Sequence, residues 1–232
     1  MVTAMRGYRL LDTVVAVTVD APPIAAWLDE FLLPSFLPWT GEAADFAVRV
    51  RTEAAAHDAI AARRPPGTLA ARPVFALDRE VVSHPSWIQS GRTVLADERY
   101  GTFYVVGDEA VEVVADPRVP LFRSGPMRVV REIATARVLA DPTRLQLHAA
   151  ALEVDGRAIL IAGAKGAGKT TLLAYLAGAP RARILGNDRA LLARRDGAIT
   201  VRGVPTIVSV RPETRALLPA LFGGLAALPR PS

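Results

Sequence analysis

A glycine-rich segment in the second half of the chain carries residue types suited to phosphate binding. Residues 163–170 read Gly-Ala-Lys-Gly-Ala-Gly-Lys-Thr and match the pattern G-x-x-x-x-G-K-[ST]. An apolar run ends just before this segment and a predicted helix follows it, which is the context the pattern requires. Glycines allow successive backbone N–H groups to point at phosphate oxygens, and the helix adds its positive N-terminal end.

The segment therefore predicts a site for a nucleoside triphosphate, ATP, with Mg2+ as its cation. Lys169 is expected to reach the β- and γ-phosphates, and the Thr170 hydroxyl to ligate magnesium. The residues expected to contact the nucleotide are Gly163, Ala164, Lys165, Gly166, Ala167, Gly168, Lys169, Thr170 and Thr171.

The two lysines of the chain, Lys165 and Lys169, both lie in this segment, while every other basic side chain is an arginine. A compact ammonium differs chemically from a planar guanidinium. We expect Lys165 to place a second positive charge over the γ-phosphate or the leaving oxygen. The alternative is a solvated loop residue.

The rest of the chain must position this loop. The spacing of apolar and turn-forming residues divides the chain into three predicted segments. Residues 1–123 read as short strands with one helix near Ile24–Leu33, a smaller β-rich module of unknown role. Residues 124–142 are predicted to form a linker helix, because apolar residues recur there at helical spacing. Residues 143–232 form the predicted nucleotide-binding domain.

Two apolar runs, Leu145–Val154 and Ala158–Ala162, precede the loop and are joined by Asp155-Gly156, a sequence typical of hairpin turns. In most nucleotide-binding sheets of this type, the strand that leads into the loop is a parallel strand that follows a helix. A hairpin in this place therefore predicts a sheet that is not entirely parallel.

This hairpin, with His148 at its start and 21 residues before Lys169, resembles the HPr kinase/phosphorylase family. The resemblance covers about residues 145–210. It implies an α/β (α+β) chain with a mixed-sheet P-loop domain of the HPr kinase/phosphoenolpyruvate-carboxykinase type. It also implies that His148 supports the catalytic site, whereas the sequence alone favours a hydrogen-bonded histidine at a strand start.

The family follows its loop helix with a strand that ends in two aspartates, of which the second is the catalytic base. In the matching stretch, Ile184–Arg189, Asp188 falls on the second aspartate and Asn187 replaces the first. The resemblance thus implies that Asp188, Lys169 and His148 are catalytic and that Thr170 and Asp188 hold the metal. A simple Asn-Asp turn is the alternative.

Two features depart from the family. Residues 201–206 lack the glutamate that serves there as a magnesium ligand, and the family's C-terminal substrate-binding segment has no match, so we expect it to be missing. The leading hypothesis is a kinase that transfers the γ-phosphate of ATP to a hydroxyl of a peptide, protein or small metabolite. A non-catalytic nucleotide-binding partner or regulatory protein derived from such a kinase is the alternative.

The amino-acid composition limits the kinds of site, location and binding partner that we expect for this chain. The absence of cysteine excludes disulfides and thiolate zinc sites and favours a cytoplasmic location. The apolar stretch Leu217–Leu228 is too short to span a bilayer, so no membrane partner is expected. The net charge of +5 is spread over scattered arginines, which favours a solvated surface over nucleic acid. Homo-oligomerisation is left open.

Overall fold

The computed structural model of the 232-residue chain describes residues 3–33, 35–67, 69–77, 80–207 and 212–217. The fold is mixed α/β with one large mixed sheet, as expected for the α+β class. The chain forms two compact units that divide between Val138 and Leu139. The N-terminal unit, which we expected to be the smaller one, is the larger.

Unit 1, residues 1–138, is built on a nine-stranded sheet. Its strands are β1 Ala4–Leu10, β2 Thr13–Val19, β3 Leu37–Pro38, β4 Phe46–Arg51, β5 Ala70–Leu77, β6 Glu80–Gln89, β7 Arg92–Asp97, β8 Thr102–Val106 and β9 Ala110–Ala115. Their order across the sheet is β3-β1-β2-β4-β9-β8-β7-β6-β5. The pairs β2-β4 and β4-β9 are parallel, and the other pairs are antiparallel.

The described part of unit 1 also contains three α-helices: α1 Pro22–Leu32, α2 Ala54–Ala61 and α3 Ser124–Val138. The apolar face of α3, with Met127, Val130, Ala134 and Val138, is almost fully buried. It packs on β1, β2, β4, β9 and α1. The helix expected as a linker over residues 124–142 thus contributes to the core of unit 1, because its buried face needs the sheet to cover it.

Unit 2, residues 139–230, contains two small sheets in its described part. The strands are β10 Arg144–Leu147, β11 Ala149–Val154, β12 Arg157–Ala162, β13 Ala182–Gly186, β14 Arg189–Arg195 and β15 Ala198–Val204. One sheet has the order β12-β11-β13 and the other β10-β14-β15, and all their pairs are antiparallel. The mixed sheet expected in this unit is therefore not seen among its described strands; the mixed sheet belongs to unit 1.

Local sequence explains the two hairpins of unit 2. Asp155-Gly156 and Asp196-Gly197 both adopt positive φ, as a two-residue turn between antiparallel strands requires. The run Leu145–Val154, expected as one strand, is two strands in different sheets with a break at His148. Residues 145–148 alternate apolar and polar side chains and residues 149–152 are all apolar, but both patterns are typical of strands and do not identify the strand partners.

The loop helix α4, Lys169–Leu176, packs on the sheet β12-β11-β13 through a cluster of Ala150, Leu152 and Leu173. A short helix α5, Pro212–Leu217, follows β15. Residues 208–210 of the strand expected at Ile207–Val210, and residues 218–232, where the expectation of a missing C-terminal segment falls, lie outside the described residues. No described helix is both long enough and apolar enough to cross a membrane.

Candidate functional site

The register of the sheet β12-β11-β13 brings the predicted site residues to one end of it. Ala149, the first residue of β11, pairs with Ala162, the last residue of β12. His148 directly precedes β11 and Gly163 directly follows β12. The two residues therefore lie side by side at this end of the sheet. Ala151 pairs with Gly186, the last residue of β13, so Asn187 and Asp188 emerge at the same end.

Both crossings of the chain between the two sheets of unit 2 occur at this end. His148 lies where the chain passes from β10 into β11, and Asn187 and Asp188 lie where it passes from β13 into β14. The fold thus places the predicted acid–base residues in the two connections beside the glycine-rich loop.

The two connections meet through a pair of side chains. Nδ1 of His148 lies 3.1 Å from Oδ1 of Asp188. The side chains are 37% and 35% exposed, so each has one side against protein and one open to a ligand. The structure therefore brings His148 and Asp188 together, which the sequence could indicate only through the family resemblance.

The glycine-rich loop is open, with residues 162–168 all exposed. Gly166 and Gly168 have φ of 86° and 85°, a conformation that side chains with a Cβ rarely adopt. Gly168 is also the N-cap of α4, and no side chain caps this end. The first N–H groups of a helix have no intrahelical acceptor, so these amides suit an anionic ligand.

Lys169 folds back over the loop. Its Nζ donates hydrogen bonds to the carbonyl oxygens of Gly163 at 2.8 Å and Ala164 at 3.2 Å. An ammonium group has three N–H donors, so this arrangement leaves one for a phosphate oxygen. The loop carbonyls thereby fix the position of the charge before any ligand arrives.

The donor set beside the loop is compatible with a hard divalent cation. Mg2+ prefers oxygen ligands, and the Thr170 hydroxyl and the Asp188 carboxylate are of that kind. Asn187 adds a further oxygen: its Oδ1 is buried and accepts no hydrogen bond from the described residues. An unsatisfied buried acceptor costs free energy, which a cation or a donor on a ligand would recover. Sequence reasoning treated Asn187 only as a departure from the family.

A second residue missed by sequence reasoning is Thr214 on α5. Its hydroxyl lies 2.8 Å from the hydroxyl of Thr171 in the first turn of α4, and either oxygen can be the donor. Forty-three residues separate the two threonines. Nothing in a local sequence pattern could have indicated this contact.

Charge is distributed unevenly between the units. Residues 139–230 contain thirteen arginines and lysines against six aspartates and glutamates, a net charge of +7, whereas residues 1–138 carry fifteen against seventeen, a net charge of −2. The positive charge of the chain is thus concentrated in the unit with the loop. A positive unit attracts a polyanion such as a triphosphate.

Unit 1 holds a cluster that sequence reasoning did not find. The atoms of His57, Asp58 and Asp116 that could ligate a metal ion lie within 4.8 Å of one another. Arg118 already donates to both carboxylates, from Nε to Asp116 at 2.8 Å and from Nη1 to Asp58 at 3.2 Å. These hydrogen bonds lower the pKa of both aspartates. The guanidinium thus supplies the positive charge that a metal would bring.

Comparison with models of known protein families and with curated proteins yields no match to this chain.

Proposed function

We propose that unit 2 binds ATP with Mg2+ and transfers the γ-phosphate to a hydroxyl group of a peptide, a protein or a small metabolite, as an HPr-kinase-like phosphotransferase. The observation that carries this proposal is the pairing of His148 with Asp188 at 3.1 Å, at the sheet end from which the phosphate loop also emerges. Phosphoryl transfer needs a carboxylate near the accepting oxygen, and this arrangement supplies one.

We assign the following roles within this proposal. Lys169 and the amides of the loop and of the first turn of α4 hold the triphosphate. Thr170 and Asp188 would hold the magnesium ion, which would neutralise charge on the phosphate oxygens when bound. Asp188 accepts the proton of the acceptor hydroxyl. The acceptor oxygen forms its bond to the γ-phosphorus as the bond to the β,γ-bridging oxygen breaks, and ADP leaves. His148 contacts Oδ1 of Asp188 and helps to orient the carboxylate.

A non-catalytic nucleotide-binding or regulatory protein is the second candidate. Asn187 favours it, because an amide stands where the kinase family has a carboxylate and brings one negative charge fewer to the cation. In this case the loop would bind ATP without transfer. ATP affinity and phosphate transfer must therefore be measured separately.

Calorimetry with ATP and Mg2+ tests the binding half of the proposal. The parent protein should bind, and Lys169→Ala should lose about 10-fold to 100-fold in affinity, since a hydrogen bond to a charged group contributes about 1.5–3 kcal/mol. Arg194→Ala, on the β14-β15 hairpin, is the control for loss of one positive charge in unit 2. A parent protein that does not bind ATP, or a folded Lys169→Ala variant with unchanged affinity, refutes the proposal.

Radiolabelled γ-phosphate tests the transfer half. With ATP, Mg2+ and a cell extract as the source of acceptors, the parent should release ADP faster than without extract and should label an acceptor. Binding without either effect identifies the non-catalytic alternative.

A further inference from the structure

The hydrogen bond between Thr171 and Thr214 joins the phosphate-loop helix to the last described helix of the chain. Thr171 is the third residue of α4 and directly follows the predicted magnesium ligand Thr170. Thr214 is the third residue of α5 and is 7% exposed. Their hydroxyl oxygens are 2.8 Å apart.

The direction of the Thr171 hydroxyl needs an explanation. A threonine inside a helix commonly donates to a carbonyl three or four residues earlier in its own helix. Thr171 instead meets a hydroxyl of another helix, and the carbonyl of Gly168 accepts the amide of Leu172. The buried hydroxyl of Thr214, which needs a partner, finds it in Thr171.

A hydroxyl group carries one donor and two acceptor sites, which makes this pair sensitive to a ligand. If Thr171 donates to Thr214, its hydrogen is used. If Thr214 donates to Thr171, the hydrogen of Thr171 remains available for another acceptor. The oxygens of an ionised phosphate are acceptors only, so a phosphate beside the first turn of α4 selects the second arrangement.

We propose that Thr214 is a positioning residue for the nucleotide: it donates to Thr171, and Thr171 in turn donates to a phosphate oxygen. This inference rests on the proposed function, because it requires a nucleotide in the loop. Successive hydrogen bonds of this kind strengthen one another, so the two threonines act as one unit. Loss of the Thr171 hydroxyl removes the bond to the phosphate, whereas loss of the Thr214 hydroxyl removes only its orientation and strengthening.

The same contact couples α5 to the occupancy of the loop. A helix of six residues is too short to be stable without tertiary contacts, so α5 depends on its packing. Linkage requires that a contact which favours nucleotide binding is itself favoured by the nucleotide. Nucleotide binding therefore stabilises the packing of α5 on α4.

A double-mutant cycle in ATP affinity tests the pair. Thr171→Val should weaken ATP binding about tenfold, Thr214→Val should weaken it measurably but less, and the double variant should be no weaker than Thr171→Val. Thr214→Ser, which keeps the hydroxyl, should restore the parent affinity. Thr200→Val is the matched control, since its hydroxyl bonds to the carbonyl of Ala193 in the β14-β15 hairpin.

Hydrogen exchange of the parent protein provides a second readout that needs no variant. ATP with Mg2+ should slow exchange of the amides of residues 213–217. Unchanged exchange, unchanged affinity of Thr214→Val, or independent effects that multiply in the double variant would each overturn the role of Thr214 while leaving ATP binding intact. A parent protein that binds no ATP would instead remove the proposed function, and this inference with it.

Discussion

Nδ1 of His148 and Oδ1 of Asp188 lie 3.1 Å apart and connect the two segments in which the chain crosses between the sheets of unit 2. Each residue follows or precedes a strand of both sheets, so its backbone is fixed on either side. A pair held in this way has a defined position beside the glycine-rich loop, as the proposed proton transfer requires.

Replacement of Asp188 by asparagine separates binding from chemistry. The amide keeps nearly the same volume but cannot accept a proton, so ATP should bind with nearly the parent affinity while transfer falls by about 100-fold or more. Calorimetry and single-turnover transfer measure the two quantities. His148→Gln, which removes only the partner of the base, should lower the rate less. Full transfer by Asp188→Asn would exclude the base assignment. An equal loss of ATP binding would show that Asp188 acts mainly as a magnesium ligand, since the neutral amide oxygen of asparagine is a weaker ligand than a carboxylate.

Replacement of Lys165 by alanine should lower the rate of transfer more than the affinity for ATP. Lys165 is exposed and forms no ion pair within the described part of the chain, so its charge is available to a ligand. A charge placed over developing negative charge stabilises the transition state more than the ground state, and we expect a loss of about tenfold in single-turnover rate. Lys165→Arg should keep most of the rate. Equal turnover of Lys165→Ala and parent would leave Lys165 a solvated loop residue.

Replacement of Gly203 by alanine should destabilise unit 2. A Cβ at this position would lie 1.6 Å from the carbonyl oxygen of Leu185, where β15 crosses β13. The Cβ would be fixed to the backbone of β15, and the oxygen belongs to the backbone of β13. The clash can therefore be relieved only if the two strands move apart, at a cost of about 3 kcal/mol. Thermal unfolding followed by circular dichroism measures the loss. Gly178→Ala is the control, since its Cβ would make only an ordinary 3.4 Å contact. Equal unfolding temperatures for both variants would contradict the close crossing.

Acid should weaken unit 1 through His84. Burial lowers the pKa of His84 from its ordinary value of 6.5, although Asp97 lies 3.5 Å away, and Arg128 contributes in the same direction as burial. The unfolded chain therefore binds more protons than the folded one near this pH. The stability that His84 contributes is present above about pH 6.5 and is lost as the pH falls below it, by up to about 1.4 kcal/mol per pH unit.

Tryptophan fluorescence can follow this loss, because Trp27, Trp39 and Trp87 all belong to unit 1. Urea unfolding at pH 7.5 and pH 5.5 should show a lower midpoint in acid for the parent protein. His84→Gln cannot gain the proton and should show a smaller difference. The same pH dependence in both proteins would assign the effect to other groups.

Several local features could be predicted from the sequence because short-range chemistry determines them. The glycine and lysine positions of the phosphate loop, the two Asp-Gly turns and the helix after the loop follow from residue types within a few positions of one another. The residue pattern also predicts strands at Thr13–Val19 and Thr102–Val106, and these are the bounds of β2 and β8. By contrast, β6 was missed, because Pro85 and a mixed polar composition hide the alternation of a strand.

Tertiary structure decided what depends on partners far away in the chain. Residues 145–154 read as strand whether they lie in one sheet or two, and the break at His148 exists because β10 pairs with β14 while β11 pairs with β12 and β13. The sequence by itself determined the glycine-rich loop at residues 163–170, and its resemblance to a family indicated His148 and Asp188 as candidate residues. Their contact, and that of Thr171 with Thr214, depended on strand pairing and helix packing, because hydrogen bonds between distant segments leave no local pattern in the sequence.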